Sequence, residues 1–336
     1  MSKRLLRIVC LASLVILVVA CNSTTSTPKK IHFSGKAQGT YYSVTYYDTQ
    51  NRNFQAQVDS LLKAFDLTAS LWEENSLIRK INSNETLALN PMMVDLYKKS
   101  IQISELTDGN FDITVGKLVN AWGFGFSKAS TLDSIAVDSL LQYVGYKKIS
   151  VDSGFIVKSN PDIELDFNAI AQGYSVDMLA NFLASNGIES YLVDVGGEVV
   201  ARGVKPDGNL WIVGIERPAE DKYSTQEVDV KIALKDMSVV TSGNYRKYYE
   251  NNGVKYSHTI NPFTGYPVSH TLLSVSVVTN DAWEADAMAT AFMVMGLEKS
   301  LEFLAENPKY EAYFIYDQNG EYATFATEGL KEMIVK

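Results

Sequence analysis

The sequence predicts an α+β protein with mixed, largely antiparallel sheets and helices packed on them, and three observations carry that expectation. From residue 149 onward, short runs rich in β-branched and aromatic residues follow one another closely, as in meanders and hairpins. Helical periodicity is confined to a few separate stretches and does not alternate with every strand. No Gly-x-Gly-x-x-Gly follows any expected strand, so a doubly wound dinucleotide fold has no support.

The N-terminus reads as a sorting signal. Lys3, Arg4 and Arg7 precede an apolar run from Ile8 to Val19, shorter than the ~20 residues an uncleaved span needs, and the chain turns polar directly after Ala20-Cys21. Residues 1–20 are therefore expected to be a signal peptide, and the small residue before Cys21 resembles a bacterial lipobox, which would place a lipid on that cysteine. Residues 21–30 have the Ser/Thr/Pro/Lys composition of a tether, and 31–336 form the folded domain.

Cys10 leaves with such a signal and Cys21 is acylated, which excludes disulfides, a cysteine nucleophile and zinc-thiolate sites. Without Lys3, Arg4 and Arg7 the chain holds 27 basic and 39 acidic residues, a net charge of −12 that disfavours sequence-independent nucleic-acid binding. With only three histidines, any metal site must rely mainly on oxygen ligands, which suits Mg²⁺ or Ca²⁺.

Along the domain, Tyr41–Tyr47 reads as a strand, and Phe54, Val58, Leu61, Leu62 and Phe65 have helical spacing. A helix over Met92–Leu106 is stopped by Asp108-Gly109-Asn110. Strands are expected at Ile149–Val151, Ile163–Asp166, Ser190–Val195, Val199–Val204, Leu210–Glu216, Val228–Leu234, Met237–Val240 and Leu272–Val278. A helix from about Asn168 ends at Asn186-Gly187, and Asn251-Asn252-Gly253 forms a hairpin turn. Asp281 and Glu284 have capping-box spacing ahead of another helix.

That last helix, Trp283 to Gly296, is apolar nearly all round and so belongs in the core. Asp286 and Thr290 lie one turn apart on it: either they offer two hard oxygens to a divalent ion, or Asp286 pairs with a base and Thr290 bonds back to its helix. At Leu165–Tyr174 a strand-to-helix corner presents backbone groups, with Asp166 and Gln172 to orient a ligand and Gly173 to permit close approach; alternatively Asn168 is a plain N-cap. His258, between Ser257 and Thr259, is placed for proton transfer near neutral pH or is structural, and His270 is the weaker candidate. Trp122-Gly123-Phe124-Gly125 offers either a stacking surface or core packing beside a turn, and Gly196-Gly197 reads as a hairpin bend.

Eight blocks, in order, are QGTYY (38–42), SLWEENSLIRKIN (70–82), GNFDITVGKLVNAWGFG (109–125), LDFNAIAQGYSVD (165–177), VDVGGE (193–198), VTSGNY (240–245), YSHTINPFTGYPV (256–268) and ADAMATAFMVMG (285–296). Together they resemble the ApbE family of FAD:protein FMN transferases, from about Gln38 to Gly296. The resemblance implies an FAD cleft between two subdomain-like halves, with Mg²⁺ held by the Ala169 carbonyl, Asp286 and Thr290. It implies contacts to FAD, the substrate, from Gln38, Trp72, Trp122, Gly123, Phe124, Asp166, Gln172, His258 and Ile260. The implied reaction joins the FMN half of FAD to a threonine hydroxyl and releases AMP, for which His258 is the best base on offer.

This chain has Gln38 where the family commonly has Met, Trp72 for a frequent Tyr, Asn168-Ala169 for Gly-Gly or Ser-Thr, Gln172 for Lys or Glu, and Asn261 for a common Asp. By the same resemblance, acceptors are exported flavin carriers such as subunits of Na⁺-translocating NADH:quinone reductase or Rnf-type complexes, and the protein is lipid-anchored, periplasm-facing and held in the inner membrane of the cell envelope. The family's acceptor pattern, Asp-Gly-x-Thr-Gly-Ala-Thr, is absent here, so the chain is not its own substrate. Rival readings are an FAD pyrophosphatase yielding FMN and AMP, and a flavin-binding lipoprotein without catalysis.

Overall fold

Buried side chains alternating with less buried ones along Thr40–Asp48 mark a strand with one face in the core, and that strand is second from the edge of the principal sheet. The computed structural model describes residues 27–126, 132–218, 227–244, 248–251 and 254–335. The signal segment, Cys21, Tyr245 and the Asn252-Gly253 turn lie outside the described residues.

The chain runs β1 (Lys29–Ala37), β2 (Thr40–Asp48), α1 (Gln55–Ala69), α2 (Leu77–Asn82), α3 (Pro91–Leu106), α4 (Gly116–Ala121) and α5 (Ser134–Leu141), then β3 (Ile149–Asp152) and β4 (Phe155–Lys158). After α6 (Ala171–Ser185) come β5 (Tyr191–Val195), β6 (Glu198–Arg202), β7 (Trp211–Glu216), β8 (Val228–Leu234), β9 (Met237–Gly243), β10 (Tyr248–Asn251), β11 (Val254–Ser257) and β12 (Leu272–Thr279). The last elements are α7 (Ala282–Met295), α8 (Leu297–Glu306), β13 (Glu311–Gln318), β14 (Glu321–Ala326), α9 (Glu328–Met333) and β15 (Ile334–Val335).

Eight strands form one sheet in the order β1-β2-β5-β6-β9-β12-β13-β14, and every neighbouring pair is antiparallel, as the α+β expectation requires. The two-residue side-chain period divides its faces. Val44, Val193, Val200, Val240, Val277 and Phe314 meet the helices on one face. Ala201, Val239, Val278, Tyr313 and Ile315 meet a smaller sheet, β15-β8-β7, through Trp211, Ile232 and Leu234 on the other. α7 lies inside the helical layer, with twelve of its fourteen residues buried, as its uniformly apolar sequence demands.

Three local expectations are corrected. Residues 163–166 form no ladder; Asn82 takes the place of a strand partner, its side chain donating to the Leu165 carbonyl at 2.9 Å and accepting the Leu165 N–H at 2.8 Å. Asn168 is not an N-cap: Asp166 accepts the Asn168 N–H at 2.8 Å, turning the chain so that α6 starts only at Ala171. Nor do Asp281 and Glu284 make a capping box, because Asp281 makes no side-chain cap and Glu284 instead takes Lys309 and the Tyr310 hydroxyl, each at 2.7 Å. β1 also begins at Lys29, within the stretch assigned to the tether.

One half-buried carboxylate gives a test of the helical layer. Asp66 of α1 has a buried Oδ1 with no hydrogen-bond partner among the described residues, and burial first, then the charge of Glu73, pushes its pKa up to about 6. The unfolded chain releases this proton near pH ~4, so the folded state binds it more tightly and stability falls as pH rises from about 4 to about 6. Asp66→Asn is expected to raise the melting temperature at about pH 7 and to change it little at about pH 4; a parallel profile across that window contradicts the assignment.

Candidate functional site

The first amides of a helix have no partner within it, and Ile170, the residue before α6, supplies no side-chain acceptor. Asp286 of α7 fills the gap, accepting the Gly173 N–H at 2.9 Å. In return Asp177 of α6 accepts the Trp283 N–H at 2.8 Å, capping α7. As α6 advances from Gly173 to Asp177, α7 retreats from Asp286 to Trp283, so the two helices run antiparallel and cap each other. A Cβ on Gly173 would stand 2.3 Å from the Ala282 carbonyl oxygen and 2.7 Å from the Asp286 Cβ, so only glycine permits the approach.

Both carboxylates are under electrostatic pressure. Burial foremost pushes Asp177 up to about 7, against the Trp283 and Ala282 amides that favour its charge. Burial likewise raises Asp286; the Gly173 amide opposes the shift and the charge of Asp177 adds to it. No basic side chain among the described residues is paired with Asp286, so the alternative of an Asp–base pair is set aside.

Thr290 stands one turn further along, its Oγ1 3.4 Å from the Ser242 hydroxyl of β9. Ala169 lies in the turn four residues ahead of Gly173, on the same helix entrance. A buried carboxylate lacking a cation, two hydroxyls and a carbonyl-bearing turn form an oxygen donor set that fits a hard divalent ion. Among the described residues no group of three or more His, Cys, Asp or Glu could hold an ion, so any ion here depends in part on neutral oxygens.

A second group gathers at the same end of α6. Gln38 and Gly39 form the β1–β2 turn, both at positive φ, and Gln38 Oε1 accepts the Ser175 hydroxyl at 3.3 Å. Its Nε2 is buried without a hydrogen-bond partner among the described residues. Gln172 Nε2 lies where a Cβ on Gly196 would come within 2.4 Å, with Thr40 and Glu198 alongside, so the Gly196-Gly197 bend (φ 69 and 109) closes over it. The structure therefore brings Gln38, Gln172, Ala169, Asp286 and Thr290 together around one helix entrance.

The aromatic candidates form a separate group. Trp122 is buried with Leu118, Val137, Val144 and Ile260, and its indole N–H donates to the Gly265 carbonyl at 2.7 Å, so its ring is committed to packing. Gly123 has φ 83, and Phe124 meets the half-buried His258 edge-on, ring centroids 6.4 Å apart. Trp72 is 63% exposed and leans on Phe126 at 4.8 Å, with the Arg79 guanidinium 5.2 Å from the centroid of the Phe126 ring. Asp166 ties this half to the first, its N–H donating to the Ile113 carbonyl at 2.8 Å. Asn261 accepts the Phe263 and Thr264 amides, so it shapes its own turn. His270 bonds the Met293 carbonyl at 2.7 Å and is structural.

Sequence reading assigned no role to Asp177, Ser175 or Ser242. Asp177 and Ser175 follow Gln172 within one motif, but their partners become visible only once the helices pack. Cavities of about 490 Å³ beside β8 and β15 and about 290 Å³ between α3, α6 and the start of α7 are lined by none of the predicted site residues.

A family model described as the ApbE family matches residues 38–314. A Vibrio cholerae FAD:protein FMN transferase is 33% identical over 98% of this chain and 99% of its own, and one from Klebsiella pneumoniae is 32% identical over 95% of each. Among solved structures, the flavin transferase ApbE from Vibrio cholerae has a TM-score of 0.80 at 31% identity, covering 91% of this chain and 99% of that one. The apo form of Pseudomonas stutzeri flavinyl transferase ApbE has a TM-score of 0.82 at 31% identity, covering 91% and 97%.

Gly173→Ala is expected to cost about 1–3 kcal/mol through overpacking, read as a lower midpoint in urea unfolding. An unchanged midpoint contradicts the tight contact between α6 and α7.

Proposed function

The chain belongs to the ApbE family, and we propose that it is an Mg²⁺-dependent FAD:protein FMN transferase of the bacterial cell envelope. In this reading a threonine Oγ of an acceptor protein attacks the FMN phosphorus of FAD, the phosphoanhydride bond breaks, and AMP departs. The observation that carries it is Asp286, a buried carboxylate with no basic partner among the described residues, one turn from Thr290 and fixed on the entrance of α6.

Asp286, Thr290 and the Ala169 carbonyl would hold the ion. Bound there, Mg²⁺ would neutralise diphosphate charge and ease the departure of AMP. The exposed Trp72 ring, the Gly123-Phe124 backbone, Asp166 and Ile260 would contact the dinucleotide, and the amides of Gln38 and Gln172 would supply donors and acceptors. Trp122 would act from behind, bracing Gly123 and Phe124 through its bond to Gly265. His258 would take the threonine proton, its ring steadied by the Phe124 edge.

Attachment would come from a lipid on Cys21, after removal of residues 1–20 and through the short tether that precedes β1. No helix among the described residues is long and apolar enough to cross a membrane. Acceptors would be exported flavin carriers, including subunits of Na⁺-translocating NADH:quinone reductase or Rnf-type complexes, met on the periplasmic side of the inner membrane.

Mass spectrometry of an acceptor incubated with the protein, FAD and Mg²⁺ is expected to show an FMN adduct together with AMP. Free FMN without an adduct would instead identify a pyrophosphatase, and FAD retained intact a binding protein. Asp286→Ala is expected to abolish AMP release. His258→Asn should slow transfer by about 10²-fold or more while FAD still binds; unchanged turnover removes His258 from the mechanism.

A further inference from the structure

The edge strand β1 reads Lys-Lys-Ile-His-Phe-Ser-Gly-Lys-Ala, with three lysines and no acid, in a chain whose acids outnumber its bases 39 to 30. Lys29, Lys30 and Lys36 are all exposed. Lys30 and Lys36 share one face of the sheet, since they are an even number of residues apart, and stand opposite Tyr47 and Tyr41. Among the described residues the acids beside β1 are engaged: Asp48, opposite Lys29, is paired with Arg52 at 2.9 Å, Asp59 accepts the Tyr42 hydroxyl, and Asp194, on the face of Lys30 and Lys36, accepts the Gly197 N–H at 2.9 Å and a bond from the Tyr41 side chain. No ion pair among the described residues takes up the charge of Lys29, Lys30 or Lys36.

Chain length says what lies within reach. From Cys21 to Lys29 there are eight residue steps, which even fully extended span no more than about 28 Å. If Cys21 carries a lipid, β1 cannot leave the neighbourhood of the bilayer. We propose that β1 is a docking surface for an anionic lipid headgroup layer, a step that rests on the lipid-anchor reading above. Lys30 and Lys36 are separated by about 20 Å along the strand, so both touch a plane only if β1 lies along it. The Gln38-Gly39 turn at its end, which borders the candidate site, is then held next to the membrane surface, where a membrane-held acceptor can reach it.

The test uses the mature chain with Cys21→Ser, so that no lipid contributes, sedimented with vesicles of phosphatidylglycerol and phosphatidylethanolamine or of phosphatidylcholine alone. Binding is expected to the anionic vesicles only and to weaken with salt, and Lys30→Gln with Lys36→Gln should lower the partition constant by about fivefold per lysine, with FMN transfer to a soluble acceptor unchanged. Equal partition to both vesicles, or a double variant that binds as the parent does, overturns the proposal. So does a double variant that self-associates while the parent ignores anionic lipid, because the lysines would then only guard a sheet edge. The mass of Cys21 in protein purified from membranes is a separate measurement: an unmodified cysteine sinks the anchor, whereas failed vesicle binding beside an acylated cysteine sinks only the docking surface.

Discussion

Two carboxylates exchanged between two antiparallel helices set the geometry of the candidate site. Asp286 and Asp177 each satisfy the amides that open the other's helix, and in doing so each is drawn into a place where a negative charge is costly. The contact requires Gly173, because any side chain there would strike the Ala282 carbonyl. The backbone entrance that carries Ala169 and Gln172 is thereby fixed against the helix that carries Thr290. An arrangement that leaves Asp286 buried, with no basic partner among the described residues, is poised to gain from a cation.

Much of the fold is legible in the sequence because local patterning and tertiary demand agree. Val228–Leu234 is a strand with the expected bounds, the all-apolar α7 is buried, and Gly187 ends α6 in the left-handed conformation. Where side chains substitute for backbone partners, pattern fails. Ile163–Asp166 has strand composition, yet Asn82, distant in sequence, satisfies Leu165, and the capping-box spacing at Asp281 is overridden by Asp177. The hairpin of β13 and β14 went unread although Asn319-Gly320, both at positive φ, is a strong local turn signal.

The candidate site divides along the same line. Residues acting through backbone position or helical spacing, such as Gly173 and the Asp286–Thr290 pair, declare themselves in one dimension. Trp122 does not: a tryptophan between glycines has the composition of a stacking platform, but its indole N–H is satisfied by Gly265 and its ring lies among Leu118, Val137 and Ile260. Only the fold shows that this ring is buried rather than presented on an open face.

The bonds from Gly173 to Asp286 and from Trp122 to Gly265 close separations of 113 and 143 residues. Loops of that size are expensive to close and postpone their reward until most of the polypeptide is present. A nascent chain released before Asp286 lacks both the cap on α6 and the carboxylate of the candidate site. The contacts that frame the candidate site therefore join segments drawn from most of the chain, and a fragment ending before Asp286 lacks one side of them.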